Sequence, residues 1–130
     1  MVNTNLKVLI FVESRYKVNR KRIRSSIAEL LNQNGVNSPV EVSVAIVGDR
    51  KMRELSRKYK GEDKTRNSLS FSLSEGEKME TPAGVIRLGD IVLSYPIVLL
   101  EASRDEMLVD DKVDELVKHG MNHLLGNHHE

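Results

Sequence analysis

The chain has 130 residues, 39% of them hydrophobic and 30% charged, with a formal net charge of +1. That fits one compact domain with an ordinary core, and the net charge alone singles out no partner. There is no cysteine, which excludes disulfides and thiolate metal sites, and only 4% is aromatic, so the core must rest on Val, Ile, Leu and Met and a base-stacking platform is not expected.

The opening MVNTNLKVLI lacks a basic region followed by a long apolar stretch, so no signal peptide is expected. Residues 6–13 read as a buried strand, a short apolar run rich in Val and Ile. Residues 18–34 read as a helix, because Ile23, Ile27, Leu30 and Leu31 recur at helical spacing and Asn34-Gly35 is a good stop. Residues 40–47 alternate like a strand, and Asp49 is placed to cap a helix through about Lys60. A polar loop over residues 60–67 leads to a short strand marked by Leu69 and Phe71. Residues 73–83, with Gly76 and Pro82, read as a mobile loop. Residues 84–93 read as another strand, in which Gly89 marks a bulge or a close approach. Ser94 is placed to cap a helix with Pro96 in its first turn, running to about Met107. The apolar run from Ile91 to Leu100 is too short to span a bilayer, so no membrane partner is expected. A last helix starts near Asp110 or Asp111 and ends at about Leu125, with Gly126 as its stop. The order βαβαββαα predicts a single α+β domain, a small mixed sheet packed with helices.

Charge is unevenly distributed. Arg15, Lys17, Arg20, Lys21, Arg22 and Arg24 form a basic run, and Arg50, Lys51, Arg53, Arg57, Lys58 and Lys60 form a second. Acids collect later, from Glu101 to Glu115. This pattern predicts a polar molecule with one cationic face.

All four histidines fall in the last twelve residues: His119, His123, His128 and His129. His119 and His123 are four apart and lie on one face of the last helix, beside the apolar stripe of Val113, Val117, Met121 and Leu124. Gly126 can end the helix and turn the chain back, which lets His129 reach the same ion. The pattern H-x-x-x-H-x-x-G-x-x-H matches the three-histidine zinc pattern of metzincins in its histidines and glycine. Three neutral imidazoles leave a +2 ion its charge and an open position for activating water. Zinc is the expected ion, one per chain; nickel and copper also suit imidazole. His128 competes as third ligand, but spacing favours His129. A structural or surface role is the bland reading of a single histidine, and the complete spacing outweighs it. The zinc-protease motif has Glu directly after its first histidine; Gly120 stands there, so peptide hydrolysis is not indicated.

These residues resemble the YbeY-type endoribonucleases of bacterial rRNA maturation. His119-Gly120-Met121-Asn122-His123-Leu124-Leu125-Gly126-Asn127-His128-His129 is similar to that family's H-G-x-x-H-L-x-G-x-D-H signature. Lys60 to Lys64 followed by Asn67 to Phe71 resembles its R-G-K-D-K…N-V-L-S-F stretch, and Leu88 to Val92 its L-G-D-I-V strand. The resemblance implies a zinc site in a cleft and single-strand endoribonuclease activity. It also implies a part in 16S rRNA 3′-end maturation or ribosome quality control, small-subunit ribosomal partners and a cytoplasmic location. No dinucleotide cofactor is expected. Lys60 stands where the family usually has Arg, which keeps the charge and loses the bidentate fork. Arg66 stands where the family usually has Thr and is a candidate to compensate. Family members usually continue past the equivalent of Glu130.

The expected chemistry is metal-assisted phosphodiester hydrolysis. His119, His123 and His129 would hold the ion, while Lys60 and Arg66 would neutralise charge developing on phosphate. Asp90 is a candidate to orient a ligand histidine, and Ser70 a candidate to face the cleft. Basic residues of the first two helices would guide an RNA backbone. Two alternatives stay open: a non-catalytic assembly factor that binds RNA and metal, and a hydrolase of another substrate.

Overall fold

The computed structural model describes residues 6–13, 15–72 and 84–126. Its elements follow the expected order: β1 (Leu6–Val12), α1 (Arg20–Gln33), β2 (Val40–Val47), α2 (Asp49–Lys60), β3 (Ser68–Ser72), β4 (Ile86–Ser94), α3 (Tyr95–Arg104) and α4 (Val109–Leu124). The loop expected over residues 73–83 lies outside the described residues.

The strands form one mixed sheet in the order β1-β2-β4-β3. β1, β2 and β4 run parallel, and β3 runs antiparallel to β4 at the far edge. Side-chain alternation sorts the two faces. Val40, Val42, Val44 and Ile46 of β2, with Ile91 and Leu93 of β4, receive Ile23, Ile27 and Leu31 of α1 and Val113, Val117, Met121 and Leu124 of α4. The opposite face is smaller: Val47, Leu69 and Val92 pack on Met52 of α2. The α+β expectation is met, with helices on both faces.

The helix ends differ in detail. Asn19 caps α1, its side chain accepting from the Arg22 N–H at 3.0 Å. Gly48, not Asp49, is the cap of α2; Asp49 is the first helical residue, where a carboxylate suits the positive helix end and accepts from Arg53 at 2.9 Å. Ser94 precedes α3 with Pro96 in the first turn, but its buried hydroxyl makes no capping bond. α3 stops at Arg104, three residues short of the expected Met107, because Glu106 takes a φ of 53° and folds the chain into α4.

Gly89 makes a bulge and a close approach together. Glu41 pairs with Arg87 and Val42 with Gly89, which leaves Leu88 as the extra residue on β4. Gly89 has a φ of 148°, and a Cβ there would stand 2.1 Å from the Phe71 carbonyl oxygen and 2.8 Å from Leu124 Cδ2. Only glycine allows β3 and α4 to close on β4 at this point.

The two basic helices do not form one cationic face. α1 packs on one side of the sheet and α2 on the other. The expectation failed because the positions of the two basic runs along the chain do not record on which face of the sheet each helix packs.

Candidate metal and RNA site

α4 presents three flanks, each with a different neighbour. Asp111 and Asp114 face α1: Arg22 reaches Asp111 at 2.6 Å and Asp114 at 3.6 Å, and the Ser26 hydroxyl donates to Asp114. Gly120 and Leu124 face β4. A Cβ at position 120 would lie 3.0 Å from three side-chain atoms of Ile91. The third flank, turned away from α1 towards the β3 edge, carries His119 and His123 about 40° apart around the helix axis and one turn apart along it. His123 is half-buried and His119 is exposed. Two imidazoles so spaced on one helix flank fit joint ligation of a transition metal. Gly126 has a φ of 77°, the left-handed turn expected after the helix. The third expected ligand, His129, and its neighbour His128 lie outside the described residues. Among the described residues, no group of three or more His, Asp or Glu converges on a metal position.

β3 lines the space beside that flank. Its sequence Ser-Leu-Ser-Phe-Ser alternates with period two. Leu69 and Phe71 turn towards α2, so Ser68, Ser70 and Ser72 turn towards the α4 side, opposite Leu93, Ile91 and Gly89. Ser70 thus lies on the histidine side, as expected. Ser68 and Ser72 share its face and were not singled out, although the alternation signals all three.

Arg66 enters at the other end of β3, whereas Lys60 follows Tyr59, whose ring packs on Phe71 at 4.8 Å and so places the end of α2 at the Ser72 end of the strand. Lys60 is the exposed last residue of α2, followed by Gly61 in the left-handed conformation. The loop is anchored where it meets β3: the Asn67 carbonyl accepts from the Ser94 N–H at 3.0 Å, and its side-chain amide donates to Glu101 at 3.2 Å. Ser68 at this end pairs with Leu93, whereas Ser72 pairs with Gly89, which lies under Leu124 next to His123. β3 therefore separates Arg66 and Asn67 from the His123 level by about four residue steps, about 13 Å. Arg66 is already engaged. Its guanidinium bonds Glu62 and, at 3.3 Å, the Ser56 hydroxyl. Glu62 is held below the usual carboxylate range, chiefly by its hydrogen bond with Lys64 and then by the charges of Lys64 and Arg66.

Asp90 does not orient a ligand histidine. It lies on the α2 side of the sheet, where it accepts from the Ser43 hydroxyl and, at 3.1 Å, from Arg87. Arg87 also reaches Glu41 at 2.9 Å. The bulge at Leu88 brings Arg87 and Asp90 to the same face, which explains a polar cluster that residue spacing does not reveal.

No helix among the described residues is long and apolar enough to cross a membrane. Residues 10–130 match the family model described as Endoribonuclease YbeY. The chain is 35% identical over 118 residues to an Endoribonuclease YbeY of Syntrophus aciditrophicus, an alignment that covers 91% of this chain and 72% of that protein. It is 36% identical over 110 residues to one from Anaeromyxobacter, covering 85% of this chain and 54% of that protein. The fold is similar to the solution structure of a Thermotoga maritima protein, with a TM-score of 0.60 at 23% identity, covering 95% of this chain and 75% of that one. On the family match over nearly its whole length and the identity to curated relatives, the chain belongs to the YbeY endoribonuclease family.

Proposed function

We propose that the protein is a single-strand-specific, metal-dependent endoribonuclease that acts in 16S rRNA 3′-end maturation and ribosome quality control. Its setting would be the cytoplasm, beside small-subunit ribosomal proteins. The observation that carries the reading is the His119/His123 pair on one flank of α4, in a chain of this family. His119, His123 and His129 are the ligands, and zinc is the ion. When bound, the ion supplies Lewis acidity and an acidified water for phosphodiester hydrolysis. Burial of both His123 ring nitrogens limits its rotamers, while exposed His119 meets a strand from solvent. Ser70 and its neighbours give that strand hydroxyl partners along β3. Lys60, the exposed last residue of α2 beside Tyr59 and Phe71, contributes a positive charge to a phosphate of the same strand.

Arg66 is a weaker candidate, because Glu62 and Ser56 already hold its guanidinium. Lys60 ends α2, which packs on the sheet face opposite the histidine-bearing helix, and that placement favours a second reading, in which the protein binds RNA during ribosome assembly and does not cut it. A peptide hydrolase is disfavoured. Position 120, where a protease would carry its general base, faces Ile91 in the core.

The deciding experiment measures zinc content and cleavage of single-stranded RNA for the wild type and His123→Ala. About one zinc per chain and RNA cleavage, both lost in the variant, uphold the nuclease reading. Zinc and RNA binding without cleavage would uphold the assembly factor. No metal uptake by either protein after zinc is added and excess removed would sink both metal readings.

A further inference from the structure

β1 is an edge strand, and its free side is defined by the ladder to β2. The Glu13 N–H donates to the Ile46 carbonyl at 2.8 Å, so the odd-numbered residues of this segment turn their backbone groups towards β2. The groups of Val8, Ile10 and Val12 therefore point outward. The exposed Arg20 guanidinium reaches the outward Ile10 carbonyl at 3.4 Å, which agrees with that direction.

Three further features mark this edge. On its α2-side face, Phe11 is 61% and Leu9 43% exposed, because α2 covers the β4 half of the sheet and not β1. On its other face, the small Ser25 and Ala28 of α1 leave a groove of about 470 Å³ beside Leu6 and Val8. The charges on the strand are placed at its two ends. Lys7 is 65% exposed and loosely held by Glu41 at 3.9 Å, and half-buried Glu13 lies six residues on.

We propose that β1 pairs antiparallel with β1 of a second copy of this chain, about a two-fold axis at Ile10, so that two four-stranded sheets become one of eight strands. The register follows from self-complementarity. With Ile10 opposite Ile10, the Ile10 carbonyl exchanges Arg20 for the facing Ile10 N–H, the outward groups of Val8 and Val12 meet in hydrogen-bonded pairs, Leu9 lies opposite Phe11, and Lys7 lies opposite Glu13. A shift by two, with Leu9 opposite Leu9, sets Lys7 against Phe11 and leaves Glu13 without a counter-charge. A slip by one turns outward groups towards inward ones. The side chain of Val12 of the second copy, opposite Val8, enters the groove over Ser25 and Ala28. The pairing also covers an exposed apolar edge that otherwise invites aggregation. The histidine flank lies beside β3 at the opposite edge of the sheet, so both sites stay open in the dimer.

The test is the association state of the full chain by sedimentation, for the wild type, Lys7→Glu, Glu13→Lys and the double swap, with circular dichroism as the check on folding. The expected result is a dimer whose dissociation constant rises at least tenfold in each single reversal and returns close to the wild-type value in the swap. Because the chain has no cysteine, two single substitutions read the register directly. Ile10→Cys should form an intermolecular disulfide on mild oxidation, and Leu9→Cys should not. A monomer at the highest soluble concentration would overturn the proposal. So would a dimer insensitive to the charge reversals, or faster cross-linking through Leu9→Cys. A monomer that recruits a different protein through the Leu9 and Phe11 face would likewise overturn it.

Discussion

Gly120 of α4 sits against Ile91 of β4 so closely that a single added carbon would lie 3.0 Å from three atoms of the isoleucine side chain. This contact sets the distance between the histidine-bearing helix and the sheet. Gly120→Ala gains about 1 kcal/mol of helix propensity and meets an overpacking cost of about 1–3 kcal/mol. The expected outcome is a net loss of stability of up to about 2 kcal/mol and weaker zinc binding, read by urea unfolding and metal titration. Ile91→Val in the same chain, by making room, should recover part of both.

Gly89 is less forgiving. A Cβ there would meet the Phe71 carbonyl at 2.1 Å, and that backbone atom cannot retreat without breaking the β3–β4 ladder. Its φ of 148° adds strain for any side chain. Gly89→Ala should cost about 3 kcal/mol or more. Hydrogen exchange should find the loss of protection concentrated in β3, with β1 and β2 much less affected.

Acid should loosen the α1–α4 contact. Burial pushes the Asp114 carboxyl up, but the Ser26 hydroxyl and the charges of Lys118 and Arg22 outweigh it and hold the group below its ordinary value. A carboxylate with a depressed folded pKa contributes stability that is present above its unfolded value, near 4, and is lost as pH falls through the folded value. Stability should therefore decline below about pH 4. Asp114→Asn should be less stable at neutral pH and show a flatter decline, measured by the urea midpoint across the acid range.

Lys60 should act on RNA binding more than on the metal. Lys60→Ala should leave zinc content unchanged and raise KM several-fold. It should also reduce the slope of log affinity against log salt by about 0.7, the value of one phosphate contact on a single strand. Lys60→Arg should restore both. An unchanged salt slope in Lys60→Ala would remove Lys60 from the RNA path.

The sequence by itself determined the element order, the α+β class and the histidine spacing on the last helix. Each rests on local periodicity: alternation for β2, the three-to-four spacing of Ile23, Ile27 and Leu31, and the four-residue step from His119 to His123. Gly89 and Gly126 were legible for the same local reason, since few residues other than glycine tolerate such backbone. The tertiary structure decided what lies across from what. It placed the two basic helices on opposite faces of the sheet, turned Asp90 towards Ser43 and Arg87, bound Arg66 to Glu62, and packed Tyr59, next to Lys60, on Phe71. Those relations depend on strand order, on the side each connecting helix takes and on one bulged residue, Leu88. All three are set by long-range packing, which no short window of sequence records.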